Sequence, residues 1–468
     1  MLDFSRFGGN GDFLKFFQEI SKIPRGSGNS EGICDYIENF ARKRGLFFVR
    51  DSFNNILIKK SASVGYENAP AVILQGHTDM VIATDKGFEG NILKDGVRLF
   101  IDGDFLKARG STLGADNGIA VAYMLAILDS KELKAPTLEA LFTSDEEIGL
   151  IGAGGFDSSL LGGKILINLD AGAEGVFIAG CAGGERIDLS RDFEVCEVDE
   201  YCEVSLSGLR GGHSGEKIHE GRLNAIKLIT KIAEGAEMIG NISGGSADNA
   251  IASSVTFSLS VTDNVEEKIK ELTEKWKSVE NNIQISCKIK REKTTLLNPS
   301  DTKKLIALID ALPYGPIEMQ ENNPLQPKTS ANLGIIKTDG GRLDLAISIR
   351  SSSDKSKEEL EEKIIDILNS FGARCDCHGK YPGWEYRENS HIREILSQSY
   401  RELCGKEAKT VTIHAGLECG IFASEILGLD CISIGPDMYD IHTVAERLSI
   451  PSAIKYYELL VKTLSMIK

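Results

Sequence analysis

The chain has 468 residues, and 53 Lys+Arg against 69 Asp+Glu leave a net charge of −16 at pH 7. An acidic chain without a basic tract lacks the surface that displaces counterions from nucleic acid or from an anionic leaflet, so both drop out as partners. With 42% hydrophobic and 26% charged residues the composition is that of a globular protein, and at roughly 150 residues per domain two or three packed cores are expected.

The N-terminus carries Asp3, Arg6 and Asp12 with no basic start before an apolar block. No secretory signal is expected, and the cytoplasm is the default compartment. Residues 11 to 23 read as an amphipathic helix ending at Pro24, and Glu31 to Arg44 as a second. Short apolar strands follow near Phe47 to Val49 and Asn55 to Ile58, then a compact buried strand from Ala71 to Gln75. Gly118 to Leu128 is a buried helix, stopped by Asp129 well short of the roughly 20 residues of a membrane span. Leu138 to Thr143 and Lys164 to Leu169 are further apolar strands, the latter followed by Asp170. This alternation predicts an α/β layer architecture, in which ligands bind beyond the carboxyl ends of the strands.

From about Arg191 the texture changes. Strand, helix and strand are expected at Tyr201 to Ser207, Arg222 to Met238 and Ser254 to Val261. A second round has a charged helix from Val265 to Lys277, a strand near Ile283 to Ile289 and a helix from Asp301 to Leu312. Strands at Asn332 to Ile336 and Leu343 to Arg350 precede a helix from Lys355 to Phe371. This stretch is an α+β insert. From about Trp384 the tail returns to helix and apolar strand, with Cys431 to Ile434 and a closing helix from Ser452 to Met466, and is expected to complete the first domain. The domains expected are therefore 1–187 with 383–468, and 188–382 as an inserted lid. Ten cysteines are scattered from Cys34 to Cys431 without the paired spacing of a zinc knuckle; they read as reduced and mostly structural.

Seven histidines are present, few enough to weigh singly. His77 stands just past a strand in Gly76-His77-Thr78-Asp79; on extended chain residues i and i+2 share a face, so Asp79 can accept a hydrogen bond from the imidazole. Read alone, the pair fits a loop histidine beside an acid equally well. Asp116 directly precedes the apolar helix, where it serves either as a ligand or as a simple N-cap. Asp145-Glu146-Glu147 closes the strand Leu138 to Thr143, and clustered acids there imply a cation unless they form a solvated loop. Asp170 repeats the pattern, and His442 follows an apolar strand and the turn Gly435-Pro436-Asp437. Two imidazoles and several carboxylates without thiolates suit Zn, Mn or Co in an open catalytic site. One bridging carboxylate allows five side chains to hold two ions.

The ordered set Gly76-His77-Thr78-Asp79-Met80, Thr112-Leu113-Gly114-Ala115-Asp116-Asn117-Gly118, Asp145-Glu146-Glu147-Ile148-Gly149, Asn168-Leu169-Asp170 and Ile434-Gly435-Pro436 before His442 resembles the M20 family of metallopeptidases. Cys181-Ala182-Gly183-Gly184, Gly208 to Gly215, Asp248-Asn249-Ala250-Ile251, Tyr381-Pro382-Gly383-Trp384 and Ile413 to Gly420 resemble its bacterial aminoacyl-histidine dipeptidase branch. The resemblance runs from about Ile23 to the C-terminus. It implies a three-layer, zinc-exopeptidase-like α/β catalytic domain with an inserted α+β lid that also serves dimerisation. By the same resemblance, His77, Asp116 and Asp170 hold one zinc, and Asp116, Glu147 and His442 the other. Asp79 orients His77, Glu146 is the general base toward a metal-bridged water, and the Asp116–Asn117 peptide bond is cis.

For the lid, the resemblance makes His213 a donor to the carbonyl oxygen, often across a homodimer. Arg350 reads as a clamp on the substrate carboxylate or as a solvated sheet arginine. Asn249 and Asn224 are weaker substrate-binding candidates, and Glu418 is a candidate for the substrate's amino group. His219, His378 and His391 read as surface, and His414 has no assignable chemistry. The function expected is metal-dependent hydrolysis of dipeptides, Xaa-His or broader, with an N-acyl amino acid deacylase as the alternative on the same metals. A two-metal phosphoesterase is disfavoured because no Lys/Arg cluster accompanies the motifs, and a catalytically silent relative has no need of Glu146.

Overall fold

A computed structural model describes residues 2–8, 11–261, 265–320 and 323–468. The chain divides into two compact units, Met1–Gly180 with Tyr386–Thr412 and Leu417–Lys468, and Cys181–Glu385 with Ile413–Gly416. Among the described residues no helix is long and apolar enough to cross a membrane.

The first unit is built on an eight-stranded sheet in the order Phe47–Arg50, Ile56–Lys60, Leu138–Thr143, Val72–His77, Ile165–Asn168, Asp430–Ser433, Val176–Cys181, Lys409–Ile413. Its centre is parallel: Val72–His77 lies between Leu138–Thr143 and Ile165–Asn168, and the latter pairs with Asp430–Ser433. Every residue of these four strands is buried. Burial on both faces explains why they read as continuous apolar runs and not as alternating ones. The register pairs His77 with Thr143, Gln75 with Asn168 and Asn168 with Ser433. Four strands thus end together at one edge of the sheet, and the residues just beyond them converge there.

Helices hold that sheet in place. Phe13–Ile20 buries Phe13, Leu14, Phe16, Phe17 and Ile20, a stripe at helical spacing, and the Phe13 ring meets Tyr123 edge-on at 4.8 Å. Each such side chain contributes about 1.5–3 kcal/mol when fully buried. The helix expected from Gly118 is buried almost all round to Leu128; a turn at Ala115 precedes it, and Asp116 and Asn117 between them are non-helical, so the regular helix begins at Gly118. Ile450–Met466 closes the unit, with Ser449 accepting the Ser452 N–H as its N-cap and Pro451 in its first turn.

The second unit is a nine-stranded antiparallel sheet whose one face is covered by Ala225–Ile232, Val265–Lys277, Pro299–Ala311 and Asp354–Ser370. On the strand Arg342–Ser351, Leu343, Leu345, Ile347 and Ile349 face that core. The helix expected over Arg222 to Met238 is shorter, because Asn224 caps it and the segment Ile239–Gly244 is claimed by the sheet. The cysteine reading also needs correction: Cys202 and Cys287, on paired strands, form a disulfide with Cα atoms 6.1 Å apart. The two are diagonal neighbours, which no sequence spacing reveals before the register is known.

Candidate metal centre

At the carboxyl edge of the first unit's sheet the structure brings together His77, Asp79, Asp116, Glu146, Glu147, Asp170 and His442. His77 is the last residue of its strand, Asp170 lies two past Asn168, and Glu146 and Glu147 lie in the loop leaving Thr143. Asp145 and His442 adopt φ of 51° and 66°, the left-handed region seldom used by residues with side chains. The Asp116–Asn117 bond is cis.

Asp116 lies between the two imidazoles. Its Oδ1 is 3.2 Å from His77 Nε2 and its Oδ2 is 3.1 Å from His442 Nε2. Asp170 Oδ1 is 3.5 Å from His77 Nε2, and Glu147 Oε1 is 2.9 Å from His442 Nε2. Potential ligand atoms of His77, Asp116 and Asp170 lie within 4.8 Å of one another, as do those of Asp116, Glu147 and His442. These are two three-residue donor sets sharing one carboxylate. Both consist of nitrogen and oxygen only, a chemistry that fits divalent Zn, Mn or Co. Glu146 Oε2 stands 4.0 Å from His77 Nε2; it lies outside these two sets but forms a third cluster of potential ligand atoms with His77 and Glu147.

Packing holds the donors in these positions. Asp79 is fully buried; its carboxylate is 3.3 Å from His77 Nδ1 and accepts the Ser27 hydroxyl at 2.8 Å and the Glu146 N–H at 3.1 Å. His77 Nδ1 also meets the Asp79 main-chain oxygen at 3.1 Å, so two oxygens of one residue fix the ring. Asn117 donates to Asp170 Oδ1 at 2.7 Å and to the Leu169 carbonyl at 2.9 Å. Asn117 can come this close because residue 76 is glycine: a Cβ there would stand 2.4 Å from Asn117 Oδ1 and 2.5 Å from the Ala120 Cβ. The N-capping alternative for Asp116 does not hold: its two carboxylate oxygens face His77 and His442, and among the described residues no main-chain N–H donates to them.

The electrostatics are those of a site with excess negative charge. Burial pushes Glu146 well above its ordinary value, with Asp170, Glu418 and Glu147 adding to the effect against the pull of His77. Burial likewise lifts Asp170 to about 7. Hydrogen bonds to Asp116 and Glu147 raise His442 to about 10, and the carboxylates around His77 raise it well above its usual range despite its burial. Asp79 is buried too, yet the His77, Ser27 and Glu146 contacts hold it down to about 2. Divalent cations would balance this cluster of carboxylates.

The remaining candidates fall elsewhere. Glu418 is fully buried in the first unit; it accepts from Thr143 Oγ1 at 2.9 Å and from the Gln75 amide. Its other oxygen has no hydrogen-bond partner among the described residues, and burial raises the group to about 7. In the second unit Asn224 is also buried. It accepts the Ile226 N–H at 2.9 Å and donates to the Leu333 carbonyl at 2.8 Å, so its amide caps a helix and ties it to the sheet. Asn249 is exposed on a turn, and His213 is half-buried at the start of Ser214–Lys217. Arg350 is only 9% exposed, which disposes of the solvated alternative, and its Nη1 donates to the Tyr381 hydroxyl at 2.9 Å. His219 and His391 are exposed, and His378 lies 3.1 Å from Asp188. His414 is buried with Nε2 2.7 Å from the Ser330 hydroxyl, and burial with Arg350 nearby lowers it to about 3.

Sequence reasoning missed Asn117, Arg25 and Glu446. Asn117 lies inside a motif already singled out, one residue past a ligand candidate, and that adjacency was the available signal. Arg25 and Glu446 stand in short polar stretches that give no hint of burial.

Residues 73–466 match the sequence profile described as Peptidase family M20/M25/M40. The chain is 33% identical over 470 residues to the cytosol non-specific dipeptidase of Escherichia coli (strain K12), covering 96% of each. Its structure resembles that of an aminoacylhistidine dipeptidase from Vibrio alginolyticus with a TM-score of 0.86 and 32% identity, over 98% of this chain and 97% of that one. Aminopeptidase PepT from Bacillus cereus shares the fold at a TM-score of 0.58 and 15% identity, over 97% and 98% of the chains.

Proposed function

The chain belongs to peptidase family M20/M25/M40 and is a peptide-bond hydrolase, and from that premise we propose a dipeptidase working with two divalent cations, zinc foremost and manganese or cobalt as substitutes. One observation carries this reading: Asp116 offers one oxygen toward His77 and the other toward His442, with Asp170 and Glu147 completing the two sets. When bound, the cations supply Lewis acidity to a water and to the scissile carbonyl.

The chain's own residues do the rest. Glu146, buried among carboxylates and raised in pKa, takes the proton of the attacking water and hands it to the leaving amine. Asp79 holds the His77 ring with Nε2 toward the Asp116 carboxylate, where it would be free to hold a cation, and Asn117 holds Asp170. In the second unit, Arg350 binds the substrate's terminal carboxylate through its planar guanidinium. His213 donates to the carbonyl oxygen as charge develops on it, and Asn249 is a further polar contact. The second unit would act as a lid and in a homodimer. The names of the E. coli and V. alginolyticus relatives support free dipeptides as the substrate class, broad or Xaa-His, and the cytoplasm as the compartment.

The test is a panel of dipeptides, tripeptides and N-acetyl amino acids offered to chelated and metal-reconstituted protein, read by amino acid release. Hydrolysis of dipeptides alone, dependent on metal, is expected. Release from N-acetyl amino acids in place of dipeptides would overturn the reading.

A further inference from the structure

Asp116 is held from two sides by charges that belong to neither donor set. Glu446 is 3% exposed, and its carboxylate lies against the main chain leading into Asp116. One oxygen accepts the N–H groups of Leu113 and Gly114 at 2.8 and 2.9 Å, and the other accepts those of Ala115 at 2.8 Å and Asp116 at 3.4 Å. A full negative charge facing consecutive N–H dipoles makes a strong, directional contact. It satisfies the main-chain donors of the turn that leads through the non-helical Asp116 and Asn117 into the buried helix.

The opposite side is held by Arg25, which is 2% exposed. Its guanidinium donates to the Gly114 carbonyl from Nη2, and from Nη1 to the carbonyls of Thr78 at 3.1 Å and Asp79 at 3.3 Å. The slot it occupies needs glycine on two sides: a Cβ on Gly114 would stand 2.6 Å from Nη2, and one on Gly118 2.5 Å. No carboxylate pairs directly with this guanidinium among its hydrogen bonds, although burying an unpaired charge is costly. What balances it is the surrounding field of Glu446, Asp79, Asp116 and Glu147. Arg25 therefore bolts the His77–Asp79 turn to the Gly114 turn, and Glu446 fixes the N–H groups of the same turn.

We infer that Arg25 and Glu446 form a clamp that presets the Asp116 carboxylate between His77 and His442, so that the centre is shaped before any cation arrives. Both are positioning residues, acting through main chain and not on the substrate. The inference rests on the reading of Asp116 as a shared ligand. Its consequence is that metal affinity depends on side chains that never touch the metal, because without the clamp part of the binding free energy goes into ordering the Gly114 turn.

The experiment compares metal affinity of chelated wild type, Glu446→Gln, Glu446→Asp and Asp116→Ala by competition with a chromophoric zinc chelator, alongside the thermal midpoint in EDTA. Glutamine turns an amide NH2, a donor, toward two of the N–H groups, and aspartate keeps both acceptor oxygens. Glu446→Gln should bind zinc about 10- to 100-fold more weakly, with Glu446→Asp nearer wild type. Should the glutamine variant fail to fold, the aspartate variant together with Arg25→Lys reads the same effect, each expected to bind zinc more weakly than wild type. Wild-type affinity in Glu446→Gln, or in both reserve variants, with Asp116→Ala depleted of metal, would overturn the clamp alone. Wild-type affinity in Asp116→Ala would overturn the ligand reading and the clamp with it.

Discussion

The carboxylate of Asp79 that faces His77 also accepts the main-chain N–H of Glu146 at 3.1 Å. One buried acid therefore sets both the imidazole of a proposed ligand and the loop that carries the proposed base. This coupling predicts that Asp79→Asn harms two functions at once: the contacts to His77 and the Glu146 N–H, both made through Oδ1, lose the charge that strengthens them, and an amide nitrogen in place of Oδ2 cannot accept from the Ser27 hydroxyl or the Glu147 N–H. A fall of about 10- to 100-fold in kcat/KM, with weaker metal binding, is expected. Steady-state kinetics across a zinc titration would check it, since excess metal should restore only part of the loss.

Metal-free protein should lose stability as pH rises. Asp170 and Glu418 have folded values near 7, above their ordinary carboxyl values. Their contribution is fully present below about pH 4 and is lost as pH rises through 7. His442 is raised from 6.5 to about 10, so its contribution is present below 6.5 and lost toward 10; solvent screens it, because the side chain is nearly half exposed. Asp79 acts in the opposite sense, losing its contribution only as pH falls through 2. Thermal midpoints in EDTA should therefore decline from pH 5 to 9. With zinc present the decline should shrink or reverse, because ligands bind metal in their deprotonated forms.

Arg350→Ala should cost about 2 to 5 kcal/mol in kcat/KM for dipeptides, because the substrate carboxylate would lose a buried charged partner. A dipeptide amide should lose much less. Measuring both substrates with both proteins gives a cycle that separates the carboxylate contact from general damage. Tyr381→Phe removes the hydroxyl that accepts from Arg350 and should cost about 1 kcal/mol. Equal losses on acid and amide would make Arg350 a structural residue.

Gly76→Ala tests the packing behind the centre. The added methyl would stand 2.4 Å from Asn117 Oδ1 inside a fully buried strand. Overpacking of this kind costs about 1–3 kcal/mol, readable as a lower denaturation midpoint. The Asn117 amide that holds Asp170 would shift with it, so metal affinity should fall in the same variant.

The parallel strands of the first unit are legible in the sequence because each is buried on both faces and stands out as an apolar run closed by a polar residue. Leu138 to Thr143 is the clearest, its span matching the observed strand. Once such strands are aligned, only a few residues lie just beyond their ends, and His77, Glu146, Glu147 and Asp170 are among them. The hairpin of Leu99–Asp102 and Phe105–Ala108 is less legible, being short and only half-buried. Glu446 is illegible for another reason. Its burial comes from main-chain N–H groups more than 300 positions away, and nothing in Thr443 to Arg447 announces them. Asn224 and Glu418 show the converse: polar residues singled out in the sequence as substrate contacts, whose hydrogen bonds serve a helix cap and the buried strand ends.

The central claim is that the five ligand candidates hold two cations and that Glu146 moves a proton without holding either. Metal analysis paired with single-turnover hydrolysis of a dipeptide tests it most directly, applied to wild type, Glu146→Gln and Asp116→Ala. Glu146→Gln should retain its metal while its hydrolysis rate falls by a factor on the order of 10² or more, and Asp116→Ala should lose metal and turnover together. A Glu146→Gln protein as depleted of metal as Asp116→Ala, or one that hydrolyses the dipeptide at the wild-type rate, would contradict it.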